Sequence, residues 1–194
     1  MKSKLLLVAF GLFFMSTQVK AQDLVRFSPF SLIKLKAKFH YEHGFETEKI
    51  GIGVIASGYF GLFPGYRIQP FARYYFMEKA LKGFYIQPKL HFSQNSYEVL
   101  NVDQDGILLE GTAWESIEEY GGSLSLGWQF LFGPNENIVL DLFAGLRVSN
   151  LQKFEENSVA TGSYLWLDVE DDEDLYRIIH SNIFDFGLSA GYKF

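Results

Sequence analysis

Between residues 34 and 42 every second side chain is ionisable: Lys34, Lys36, Lys38, His40 and Glu42. Further on, Arg67, Arg73, Lys89, His91, Asp141, Arg147, Asp185 and Lys193 stand in segments whose alternate residues are apolar. If these residues share one face, Lys34, Lys36, Lys38, Arg67, Arg73, Lys89, Arg147 and Lys193 oppose only Glu42, Asp141 and Asp185. Such a surplus of positive charge in an enclosed space suits a small anion, a phosphate-bearing ligand or an anion path. The plainer reading is a packed plug of ion pairs and hydrogen bonds, with Tyr59, Tyr75 and Tyr85 filling space. His40 and His91 could meet across that space as metal ligands, but satisfied interior histidines explain them as well. His180-Ser181-Asn182 sets an imidazole beside a hydroxyl, the ingredients of nucleophilic catalysis. Neighbours on a strand point to opposite faces, so only a loop would let them cooperate. The acidic run 168–174 offers carboxylates to calcium but lacks the spaced glycine of an EF-hand loop, and reads as a solvated loop tip. No glycine-rich phosphate loop is present. These residues therefore assign no catalytic group, metal or cofactor.

The elements that must carry these side chains follow period two. In residues 84–95, Phe84, Ile86, Leu90 and Phe92 alternate with Tyr85, Gln87, Lys89, His91 and Ser93. In residues 137–149, Ile138, Leu140, Leu142, Leu146 and Val148 alternate with Asp141, Gly145, Arg147 and Ser149. Residues 120–132 and 184–194 repeat the split, and residues 32–43, 50–60 and 66–76 follow it less perfectly. Strands with two unlike faces are the economical account. Pro70 and Pro88 each remove a ladder donor and are read as local kinks.

The chain of 194 residues carries 20 Phe, 11 Tyr and 3 Trp, more aromatic surface than a small core can bury, so a non-aqueous neighbour is expected. A net charge of −6 argues against nucleic acid, and the absence of Cys excludes disulfides and thiolate metal sites. Residues 1–21 read as a secretory signal peptide: Lys2 and Lys4 precede an uncharged run, and Val19 and Ala21 supply small residues at the cleavage site before Gln22. The remaining residues, 22–194, form one domain. Apolar strand faces ending in aromatics, such as Tyr74 and Phe76 or Phe130 and Phe132, are expected of a bilayer-crossing barrel. Strands of about ten residues match a tilted crossing, and lipid cannot satisfy an open sheet edge.

Arg73-Tyr74-Tyr75-Phe76, Gly83-Phe84-Tyr85-Ile86 and the closing Gly187-Leu188-Ser189-Ala190-Gly191-Tyr192-Lys193-Phe194 resemble the small outer-membrane β-barrel families of Gram-negative bacteria, OmpA-like or of unknown function. The resemblance implies an all-β, antiparallel up-and-down barrel of eight strands in the outer membrane, and it carries over no catalytic residues. His180-Ser181-Asn182 is similar to the His-x-Ser-Asn pattern of outer-membrane lipid A deacylases, with the one-residue spacer missing. Phe186, Leu188, Tyr192 and Phe194 resemble the C-terminal signal read by the barrel-assembly machinery, a second expected partner besides outer-membrane lipid. Seven spans are evident and an even number is required. The eighth strand is placed in residues 24–30, with residues 163–169 as the alternative. Residues 96–119 and 150–183 form long acidic outer loops, while 60–65, 77–83 and 133–136 are short turns. Asp105-Gly106 is a turn signal around which flanking strands can project as a hairpin. The expected role is non-enzymatic, structural or surface-interacting. A narrow anion pore and a lipid-modifying hydrolase are the alternatives.

Overall fold

A strand that is polar on one face and apolar on the other must shelter one of them, and closing the sheet on itself does so without leaving an edge. The computed structural model, which describes residues 21–45, 49–61, 63–77, 80–102, 108–151, 159–160 and 183–194, shows this solution. Its strands are β1 (Ala21–Phe27), β2 (Lys36–Phe45), β3 (Ile50–Tyr59), β4 (Gly65–Tyr75), β5 (Gly83–Val102), β6 (Leu108–Phe132), β7 (Ile138–Leu151), β8 (Val159–Ala160) and β9 (Phe184–Lys193). Each of β1 to β6 pairs antiparallel with the next. β9 joins β7 to β1, and the β4–β5 pairing makes the ring continuous, so eight strands form a closed barrel. The short β8 pairs, among the described residues, with Val99 and Leu100 of β5.

The eighth strand is β1, so of the two expected positions the N-terminal one is occupied, shifted to Ala21–Phe27. The expected start of the next strand at residue 32 is corrected. Pro29 opens a 3-10 helix, Pro29–Lys34, and Leu35 turns out of it through a left-handed conformation at φ 49°, so β2 begins only at Lys36. Proline cannot donate to a ladder, which is why the alternating Ile33 and Leu35 mislead here.

Two loop expectations also change. Residues 96–119 are largely ladder: β5 and β6 stay paired from Gly83↔Gln129 out to Val102↔Leu108, beyond the last β4–β5 pair at Gly65↔Asn95. The outer ends of β5 and β6 thus project as an arm past the barrel wall, and the turn signal Asp105-Gly106 lies outside the described residues. Residues 60–64 are a short connection, yet chain direction places them at the same end as this arm. That end, the loop end, also holds the 3-10 helix, the last residues of β7 and the first of β9. The turns after β2, β4 and β6 lie at the opposite, turn end.

The molecule is polar inside and apolar outside. Arg26, Arg67 and Arg73 are among its largest fully buried side chains, while Leu90, Leu124, Leu126, Leu142 and Leu146 are exposed. Toward the turn end the outer face carries an aromatic belt: Tyr74, Phe76, Phe84, Trp128, Phe130 and Phe132 follow one another with ring centroids 5.2–6.2 Å apart. Inside that end Leu81, at φ 66° in the β4–β5 turn, is 1% exposed and packs in one cluster with Leu24, Tyr75, Tyr85, Val139 and Phe143. It acts as an apolar stopper.

Candidate functional site

Inward positions on eight strands converge, so residues remote in sequence meet in the lumen. In the half nearer the turns, two arginines and two carboxylates form a closed square. Arg26 on β1 reaches Glu42 Oε2 at 2.7 Å and Asp141 Oδ2 at 2.6 Å. Arg73 on β4 reaches the same oxygens at 3.0 and 2.9 Å. All four side chains are 0% exposed. The remaining carboxylate oxygens accept from tyrosines: Tyr75 donates to Glu42 Oε1 at 2.6 Å and Tyr85 to Asp141 Oδ1 at 2.7 Å. Gln129 Oε1 accepts from both arginines at 3.0 and 2.8 Å, and its amide donates to the carbonyl of Leu81 at 2.6 Å. The Arg73 guanidinium also lies 4.0 Å from the Tyr85 ring centroid. Buried charges are stable only when paired and hydrogen-bonded, and here they are.

Glycine makes room for the bulk. A Cβ on Gly127 would collide with the hydroxyl end of Tyr85, and one on Gly187 would stand 2.7 Å from the Phe143 ring. Small inward residues opposite large ones fill a narrow lumen without a channel.

The half nearer the loops is organised differently. Asp185 on β9 is paired with Lys89 and with Arg147 Nη2 at 3.0 Å. Arg67 meets Glu119 Oε2 at 2.6 Å. Lys38 is buried with its ammonium 5.1 Å from the Phe143 ring centroid, and Lys36 stands 5.1 Å over Tyr59. Among the described residues no carboxylate forms a salt bridge with Lys34, Lys36 or Lys38. A cavity of about 730 Å³ lies against all three.

Most residues expected to share the lumen do so: Lys38, His40, Glu42, Arg67, Arg73, Lys89, His91, Asp141 and Asp185 are buried, and Lys36 and Arg147 line the space partly exposed. Lys193 pairs in register with the inward Leu24 at the turn end. Lys34 is the exception. It sits on the 3-10 helix, exposed, with its ammonium 5.7 Å from the Phe186 ring. His40 and His91 do not meet: His40 Nε2 is 2.9 Å from Ser28 Oγ, and His91 Nε2 is 3.0 Å from Ser149 Oγ. Among the described residues no group of three or more His, Asp or Glu side chains is placed to hold a metal.

Arg26 and Glu119 were missed. Arg26 lies on a strand only seven residues long, where Leu24 and Arg26 give two inward positions and no visible period. Glu119 falls within the expected loop 96–119, yet the alternation of β6 continues through Ile117 and Glu119 inward and Glu118 and Tyr120 outward. Residues 1–20, the run 168–174, the alternative strand 163–169 and the triplet His180-Ser181-Asn182 lie outside the described residues. On β9, Phe186, Tyr192 and Phe194 point outward and are exposed, with Leu188 half-buried on the same face.

Residues 59–164 match the family described as Protein of unknown function (DUF3575). The chain belongs to that family. The matched residues run from Tyr59, the last residue of β3, through β4 to β8 and include Arg67, Arg73, Lys89 and Asp141. No curated protein matches the chain. Among solved structures, the N-terminal β-barrel domain of Pseudomonas aeruginosa OprF is similar at 14% identity, over 90% of this chain and 97% of that one, with a TM-score of 0.40.

Proposed function

We propose that this protein is an outer-membrane β-barrel of a Gram-negative bacterium with a closed lumen, serving a structural or surface-interaction role and no catalysis. The observation that carries the closed lumen is the Arg26–Glu42–Arg73–Asp141 square with the Leu81 stopper beneath it. An ion could pass only by separating charges that hold one another at 0% exposure, against a large desolvation cost. Membrane placement is supported by the outward aliphatic band and the aromatic belt, since such a surface in water would aggregate. In this reading residues 1–21 are removed on export, and the arm and the acidic segment 152–182 face the surroundings.

Planar-bilayer recording of the refolded chain tests the closed lumen: no stable unitary current is expected. Steady anion-selective steps would instead establish the narrow pore. N-terminal sequencing of the exported protein should begin at Gln22. β9 also enters this reading. It closes the ring against β1 and presents Phe186, Leu188, Tyr192 and Phe194 on one outward face, the segment an assembly machine can grasp while its edge is still unpaired.

A further inference from the structure

The barrel wall has a seam. β9 is paired with β7 along its length, from Phe184↔Leu146 to Tyr192↔Ile138. On its other side β1 covers only the four residues Ala190 to Lys193. Beyond Phe27 the chain leaves β9: Ser28 donates to the Lys38 carbonyl at 3.0 Å, staying with β2, and Pro29 starts the 3-10 helix. Residues 184–189 therefore present, among the described residues, a strand edge with no strand partner, roughly 20 Å long at the usual rise.

This edge lies at the height of the apolar band, not above it. In register its neighbours are Leu142 and Leu146, both exposed on the outer face, and Phe184 and Phe186 are each 65% exposed. An open edge at hydrocarbon depth is tolerated only where it is covered or lines a polar cavity. The 730 Å³ cavity is at this place, and it is lined from both sides of the wall. From within come Lys36, Lys38 and Arg147; from the 3-10 helix comes Lys34; from the outer surface come Phe186, Leu188 and Trp128. Of these cations only Arg147 has a described carboxylate partner, Asp185, which Lys89 shares.

We propose that the seam is a lateral binding cleft for an anionic amphiphile, a membrane lipid whose phosphate meets Lys34, Lys36 and Lys38 while an acyl chain lies against Phe186, Leu188 and Trp128. The proposal rests on the membrane placement above. Its argument is complementarity: Lys36 and Lys38 without described salt bridges on the inner side of a gap, Lys34 at its rim over the Phe186 ring, aromatic and aliphatic surface on the outer side, and between them a strand edge with no strand partner among the described residues. A free phosphate would satisfy the lysines but leave the apolar lining idle. A neutral lipid would do the reverse.

The full chain carrying Trp114→Phe and Trp166→Phe keeps Trp128 as its sole tryptophan. It is refolded into phosphatidylcholine vesicles containing either brominated phosphatidylglycerol or brominated phosphatidylcholine at equal mole fraction. Both lipids should quench Trp128, and the anionic one should do so at about fivefold lower mole fraction, the scale of one lysine–lipid contact. Lys36→Gln with Lys38→Gln should abolish that preference while leaving quenching by phosphatidylcholine intact. Lys34→Gln, on the exposed helix, should weaken the preference without burdening folding. Lys82→Gln, paired with Glu136 at the turn end, should not change it. Equal quenching by the two lipids in the parent chain overturns the cleft and leaves the membrane reading standing. Quenching by neither removes the membrane reading and the cleft with it. Loss of the preference on adding sodium phosphate at constant ionic strength would show that the lysines take a free anion, and would overturn the amphiphile.

Discussion

The two halves of the lumen are built from the same residue types and do opposite things. Toward the turns, Arg26 and Arg73 face Glu42 and Asp141 one for one, and tyrosines and Gln129 add further hydrogen bonds, leaving only the two guanidinium Nε atoms of the square without a described partner. Toward the loops, lysines outnumber carboxylates and a cavity remains. In a low-dielectric interior, matched charges that hydrogen-bond one another are a rigid filler, whereas unmatched ones must keep access to water or to a counterion. Balance of charge, more than its amount, separates a plug from a site. Sequence alone showed only a single positive lumen, because it could not divide the residues between the two halves.

That contrast can be broken most sharply at Arg73. Arg73→Ala leaves Glu42 and Asp141 sharing one arginine and should cost about 3–5 kcal/mol, measured as urea unfolding of the micelle-refolded protein. A loss no larger than that of a surface substitution would mean that the square is not a structural plug. Next in size, Leu142→Arg on the exposed outer face should cost about 2–4 kcal/mol in vesicles, the penalty of a charge near the bilayer midplane. If the refolding equilibrium tolerates it, the assignment of inside and outside fails.

Gly127→Ala probes how tightly the filled half is packed. The new methyl group would displace the Tyr85 hydroxyl from Asp141, so a destabilisation of about 1–3 kcal/mol is expected from overpacking and one lost charge-assisted bond. Unchanged unfolding, with Tyr85 fluorescence unaltered, would indicate slack where the structure shows none. The smallest effect belongs to the other half. Lys38→Met removes a buried cation that no described carboxylate bridges and keeps most of its apolar stem, so stability should change by less than about 1 kcal/mol or rise. A loss as large as that of Arg73→Ala would make the two halves alike and erase the distinction.

The parts of the fold that were legible are those with a long, undisturbed period. β5, β6, β7 and β9 each run ten residues or more with strict alternation, so the faces of Lys89, Asp141, Arg147 and Asp185 could be assigned directly. The errors sit where that signal is short or interrupted. Lys34 was drawn into the lumen because Ile33 and Leu35 continue an alternation that Pro29 has already ended as a strand. Glu119 reads as a loop acid because acidic residues cluster around it, though hydrogen-bonded pairing carries the β5–β6 ladder well past it. Arg26 belongs to a strand too short to show a period at all.

Strand identity, the split into polar and apolar faces and the need for an even number of strands are local or topological matters. They follow from side-chain alternation and from the cost of an unpaired edge, and the chain's order of residues was sufficient for them. Which charges pair was decided only by closure of the barrel. Arg26 meets Gln129 across 103 residues and Arg73 meets Asp141 across 68, contacts that depend on the register of every strand between them. The seam is likewise tertiary. It exists because β1 stops at Phe27 while β9 starts at Phe184, and only their pairing from Phe27↔Ala190 to Leu24↔Lys193 shows that, among the described residues, six of β9 are left over on that side. A one-residue slip in that register would turn every inward side chain outward, which is why physical contact, and not composition, settles where the lysines stand.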